Sequence, residues 1–121
     1  MSGAANAYSR VAQTTSSPRE TEAQALLKAA RQLQDVKTNW FGPDKRMHEA
    51  LLFNRRLWSI FMSAADSAEN PQPIEVRQRI ANIGLFVMNR TVDMQMDPRP
   101  EKLTSLIDIN CNLAAGLSGR A

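Results

Sequence analysis

One cysteine, one histidine and one tyrosine in 121 residues leave little with which to build chemistry. Lone Cys111 cannot form an intrachain disulfide, and nothing in the composition asks for an oxidising compartment. A zinc site needs more ligands than one His and one Cys supply. Glycine-rich phosphate loops and GxSxG-like nucleophile turns are absent as well. The expectation is a chain that is not an enzyme and holds no cofactor or metal. The N-terminus lacks the apolar segment of a signal peptide, and no run approaches the ~18 apolar residues of a membrane span. The expected address is therefore the cytoplasm, without membrane insertion. No stretch alternates with period two, so no strand or hairpin is predicted.

Charge is also unconcentrated. Fifteen basic residues against twelve acidic leave +3, distributed as +2 over residues 1–40, 0 over 41–70 and +1 over 71–121. A surface that tracks phosphates gathers its positive charge in one place. The pairs Lys45-Arg46 and Arg55-Arg56, with Arg77 and Arg79, are the only feature suggestive of RNA. Asp44, Glu49, Asp66 and Glu69 interleave with the first two pairs, as on a solvated helix face.

What the chain does have is helical periodicity. Its centre is LLFNRRLWSIFM over 51–62. At 100° per residue, His48, Glu49, Arg55, Arg56, Ser59, Ser63 and Asp66 share one sector. Met47, Leu51, Phe53, Leu57, Trp58, Ile60, Phe61, Ala64 and Ala65 fill the rest. A helix apolar over that much of its circumference belongs inside a bundle or also meets a partner.

Around it, the predicted order is a mobile arm over 1–16 and one helical domain over 17–121. In the arm, only Tyr8 and Val11 are bulky and apolar. Ser17 and Glu20 form a capping box with Pro18 at the first helical position. Ala23, Leu26, Leu27, Ala30 and Leu33 give the first helix its stripe. Trp40 and Phe41 are expected to plug the corner before Gly42-Pro43. Asp44 caps the second helix, predicted to run to about Ala68. Prolines 71 and 73 stop the chain, and a third helix follows from near Pro73 to about Gln95. Its stripe is Val76, Ile80, Ile83, Gly84, Val87, Thr91 and Met94. Gly84 costs up to ~1 kcal/mol there, recovered if a neighbouring helix crosses closely. Prolines 98 and 100 precede a last helix with Leu103, Leu106, Ile107, Asn110, Leu113, Ala114 and Leu117 on one face, ended by Gly116 and Gly119. Cys111 falls beside that face and is expected to pack. The fold class is all-α, a small bundle of about four helices.

Two anomalies bear on function. Asn54 and Asn110 lie among apolar neighbours, where an unpartnered amide costs roughly 1–3 kcal/mol. Either they bond to backbone, to each other or to an indole N–H and fix helix register, or one of them meets the backbone of a bound peptide. The second anomaly is surplus apolar surface. The third helix carries Ala81, Leu85, Met88 and Val92 on a second face, with Phe86 among polar neighbours. Methionines at 62, 88, 94 and 96 add adaptable contacts. A homodimer would absorb this surface, as would an amphipathic helix from another protein.

The segments NAYSRVAQTTSSPRETEAQALLKAARQLQ (6–34), ALLFNRRLWSIFMSAADSAENPQP (50–73), IANIGLFVMNR (80–90) and LIDINCNLAAGL (106–117) together resemble the flagellar protein family FlaF, whose members regulate flagellin biosynthesis. The resemblance implies a small cytoplasmic protein required for flagellin production and export. It implies a flagellin-binding secretion chaperone working alongside a companion regulator, FlbT, that acts on flagellin messenger RNA. No catalytic residues carry over. The motif positions are Asn54, Arg55, Arg56, Leu57 and Trp58, then Ile83, Gly84, Leu85 and Met88, then Leu106, Ile107, Asp108 and Asn110. Cys111 departs from the pattern, where a larger polar residue is expected.

Taken together, the candidate partner contacts are Asn54, Arg55, Arg56, Trp58, Leu85, Phe86, Met88, Val92, Asp108 and Asn110. The expected partner is flagellin, held through an amphipathic segment in an apolar helical groove. The alternatives are action on flagellin messenger RNA, directly or through an FlbT-type regulator, and a structural adaptor role in flagellar export.

Overall fold

The chain's computed structural model describes residues 18–119. Among these residues four α-helices follow one another: α1 (Pro18–Thr38), α2 (Lys45–Asp66), α3 (Ile74–Met96) and α4 (Leu103–Leu117). A 3₁₀ turn, Pro100–Lys102, leads into α4. There is no strand among the described residues. The arm and Ser17 of the expected capping box lie outside the described residues; Pro18 does begin α1, and Glu20 lies in its first turn.

Local chemistry sets the boundaries. Asp44 is the N-cap of α2, where its carboxylate accepts from the Met47 backbone N–H at 3.1 Å. That bond, and the Arg46 guanidinium beside it, hold the Asp44 carboxyl below the usual aspartate range. α2 stops at Asp66, two residues before the expected end. Its last carbonyls are taken by neighbours, since Arg77 donates to Ala65 O at 2.7 Å and Ser67 O at 3.0 Å, and Asn70 Nδ2 donates to Ala64 O at 2.8 Å. Cations and side-chain donors at a helix C-terminus satisfy carbonyls that have no intrahelical partner. Gly119, at φ +72°, closes the chain beyond α4 in a conformation glycine adopts without strain. Gly116, expected to help end α4, instead lies within it.

In space the helices run α4, α1, α2, α3, with α1 packed against α4 and α2, and α3 packed chiefly against α2. Small residues on α1 (Ala23, Ala29, Ala30) and Ala114 on α4 are buried, which lets those backbones approach. The core is completed by Leu26, Leu33, Met47, Leu51, Trp58, Phe61, Val87, Met94, Leu103 and Leu106. Trp58 meets Phe61 edge-on, with ring centroids 5.5 Å apart. At the α2–α3 crossing, a Cβ on Gly84 would overlap the Met62 side chain. This is the close crossing that the glycine implied.

Three expectations need correction. α2 is not enclosed around its circumference: Ile60 is exposed, Phe53 and Leu57 are half-buried, and Lys28 covers Phe53 with its ammonium 5.2 Å from the ring centre. Only Trp40 of the corner pair packs on the core, whereas Phe41 is exposed beneath the Arg46 guanidinium. Cys111 is exposed rather than packed, because it sits one position off the buried face of α4.

A candidate partner surface on α3

The sequence-predicted site residues divide into an interior group and a surface group. Asn54, Trp58 and Asn110 are fully buried. The Trp58 indole N–H donates to Asn110 Oδ1 at 2.9 Å, and Asn110 Nδ2 donates to Asn54 Oδ1 at 2.7 Å. An indole nitrogen can only donate. It therefore fixes which way the Asn110 amide faces, and Asn110 in turn fixes Asn54. Asn54 Nδ2 is left without a protein partner among the described residues. This relay ties α2 to α4 and sets their register, and burial removes all three side chains from any surface a partner could touch. Of the two readings of Asn54 and Asn110, the bonds to each other and to an indole N–H are the ones present, and neither amide reaches a surface where a peptide backbone could meet it.

Half of the basic residues singled out in the sequence are committed within the chain. Arg46 donates to Asn39 O at 2.7 Å and pairs with Asp44 and Asp35. Lys45 pairs with Glu49, and Arg77 is bound to the end of α2. Arg55, Arg56 and Arg79 are exposed. Asp108 is exposed on α4, not on α3. Among the described residues, no group of three or more His, Cys, Asp or Glu could hold a metal ion. No helix in that range is long and apolar enough to cross a membrane.

The apolar surplus is on α3. Its buried side is Gly84, Val87, Thr91 and Met94, with the Thr91 hydroxyl turned back onto Val87 O. A second stripe runs along the same 23 residues: Ile74 (53% exposed), Leu85 (56%), Val92 (52%) and Met96 (81%), joined by half-buried Ala81 and Met88. Successive members from Ile74 through Gln78, Ala81, Leu85 and Met88 to Val92 alternate steps of four and three. That spacing makes the narrow seam by which one helix packs against another. The helix is ~34 Å long at 1.5 Å per residue, so the seam could accompany a partner helix over several turns. Phe86 is off the seam, one position round from Leu85, with the Arg90 guanidinium 5.3 Å from its ring centre. Met88 stands at the seam's inner edge and also touches the core.

A separate cleft of about 490 Å³ opens where α1 begins, walled by Phe61, Val76, Ile80, Leu113 and Leu117. None of the sequence-predicted contacts lines it.

No curated protein and no solved structure matches the chain. A family model does, over residues 4–117, described as flagellar protein FlaF. That span takes in all four helices and both the buried relay and the exposed seam, so the chain belongs to the FlaF family of flagellar proteins.

Proposed function

We propose that this flagellar protein is a flagellin-binding chaperone and regulator, and that the α3 seam receives an amphipathic helical segment of flagellin before export. The supporting observation is the seam itself: apolar side chains on one helical face, half or more exposed at Ile74, Leu85, Val92 and Met96, on a helix whose other face already completes the core. Monomeric proteins rarely leave such a contiguous patch uncovered without an interaction to serve. Helix-in-groove recognition uses this i, i+3, i+4, i+7 pattern.

Burial of apolar surface gives ~25 cal/mol per Å² gross, from which the ordering entropy of the incoming segment is subtracted. Moderate, reversible affinity results, as an export chaperone needs.

The test is co-elution of the purified chain with monomeric flagellin, without RNA, at low and raised salt. The expected result is a complex that survives salt and is lost in Leu85→Asp. Binding carried by phosphate contacts of Arg55 and Arg56 falls steeply with salt, and a complex that requires RNA would overturn the proposal in favour of action on messenger RNA. A stable complex only with an FlbT-type regulator would assign the seam to that protein.

A further inference from the structure

The cleft at the start of α1 is a gap that the four helices leave between them. α1 packs on α4 and α2, and α3 packs chiefly on α2, so α3 and α4 touch little. At this end of the bundle the space between them is lined by Val76 and Ile80 of α3, Leu113 and Leu117 of α4, and Phe61 of α2. Val76 is exposed there, and Ile80, Leu113 and Leu117 are half-buried. Glu22 of α1 lines the same cleft and is half-buried, and its carboxylate has no hydrogen bond or ion pair among the described residues.

The chain supplies an occupant of matching chemistry. Pro18 and Arg19 also line the cleft, so residues 1–17 join the fold at its edge. Within residues 2–17 the bulky apolar side chains are Tyr8 and Val11, three positions apart, and Arg10 is the one charged side chain. At ~3.3 Å per extended residue, the tether to Pro18 spans up to ~33 Å from Tyr8 and ~23 Å from Val11. Both can therefore turn back into a cleft whose edge is Pro18 itself. A short tether holds its end near the site at a millimolar effective concentration, so a contact too weak to join separate molecules is populated within one chain. A buried tyrosine hydroxyl needs a hydrogen-bond partner, and the Glu22 carboxylate can accept from it. Arg10 carries the charge opposite to that of Glu22. The family match takes in this segment too, since it begins at residue 4.

We propose that residues 8–11 fold back into this cleft, with Tyr8 and Val11 packed between α3 and α4 and the Tyr8 hydroxyl donating to Glu22. The segment then closes the open end of the bundle. Leu85 and the rest of the exposed α3 stripe from Leu85 onward lie outside the cleft and stay available to a partner. The inference goes beyond the chaperone reading and does not depend on it.

Tyr8 is the single tyrosine, so its ring protons can be followed without ambiguity by NMR in the full chain, with no flagellin present. Nuclear Overhauser contacts from the ring to methyl groups of Val76, Ile80, Leu113 or Leu117 are expected, unchanged on dilution. Tyr8→Ala combined with Val11→Ser should shift those methyl resonances, while the Leu85 methyls and the helicity stay as they are. A Tyr8 ring without contact to the cleft walls overturns the inference, as do wall resonances indifferent to the double variant. Mixing isotope-labelled with unlabelled chains separates contact within a chain from contact between chains. Contacts found only between copies would give the cleft to a second molecule and overturn the proposal. Wall resonances that move only when monomeric flagellin is added would assign the cleft to that partner, with the same consequence.

Discussion

The interior of α2 and α4 and the outer face of α3 invert the usual arrangement. Inside, two amides and an indole N–H occupy fully buried positions. Outside, Ile74, Leu85, Val92 and Met96 face away from the core. Hydrophobic burial alone would put the amides at the surface and the aliphatic side chains within. A buried relay that bonds in one orientation disfavours alternative helix registers, as polar core residues can in helical assemblies. An exposed apolar seam adds little to the stability of the lone chain, and this is why we propose it as a surface for association.

Breaking the inner side should have the largest effect. Asn110→Leu keeps the branched shape but orphans the Trp58 N–H and Asn54 Oδ1, at ~1–3 kcal/mol for each buried group. We expect a loss of about 2–4 kcal/mol in denaturant unfolding. Replacing the whole relay (Asn54→Leu, Trp58→Phe and Asn110→Leu together) should recover much of that loss, because removing every partner is less costly than removing one. Lowered helix-register specificity, seen as broadened NMR resonances of α2 and α4, should remain.

Breaking the outer side should do the reverse. Leu85→Asp is expected to weaken flagellin binding at least tenfold, which is ~1.4 kcal/mol. Its unfolding free energy should change by no more than ~0.5 kcal/mol, as for surface substitutions generally. A loss of stability comparable to that of Asn110→Leu would show that the seam belongs to the core.

Between the two regions lies Gly84, where α3 crosses α2. Gly84→Ala gains up to ~1 kcal/mol of helix propensity but displaces Met62, and overpacking of this kind costs ~1–3 kcal/mol. A net loss of about 1 kcal/mol in thermal unfolding is expected, and a double variant with Met62→Ala should reverse its sign.

The smallest effect is that of pH. Asp44 is held low by the Met47 N–H and Arg46, and Asp97 by the hydrogen bond from Lys102 and by Arg99. For a carboxylate whose folded pKa is depressed, the stabilisation is complete above its unfolded value and lost as pH falls through the folded one. Unfolding midpoints should therefore be flat from neutral pH down to the ordinary aspartate value of 3.8 and fall below it. Asp44→Asn should flatten part of that acid limb.

Most of the architecture was legible in the sequence because its stops are local. Asp44, the prolines at 71, 73, 98 and 100, and the regular stripes of α1 and α4 announce helix ends and faces without tertiary information. Asn54 and Asn110 could be read as anomalies, but their pairing with Trp58 joins residues 52 and 56 positions apart. Periodicity within one helix cannot reveal such a contact, so partner binding and register remained open until the fold was in hand. The α3 seam was visible as a second face because Leu85, Met88 and Val92 follow helical spacing. Gln78, which falls on the same spacing, is polar and gave no hydrophobic signal. Arg77 read as part of a basic cluster, and only the fold brings it to the last carbonyls of α2.

The most direct test of the seam as a partner surface is calorimetric titration of monomeric flagellin into this chain at several temperatures, with Leu85→Asp in parallel. Burial of an apolar seam predicts a negative heat-capacity change on binding, insensitivity to salt, and loss of both the heat and its temperature dependence in Leu85→Asp. Binding of unchanged affinity in Leu85→Asp, or a heat that vanishes with added salt, would contradict the account and place recognition elsewhere on the molecule.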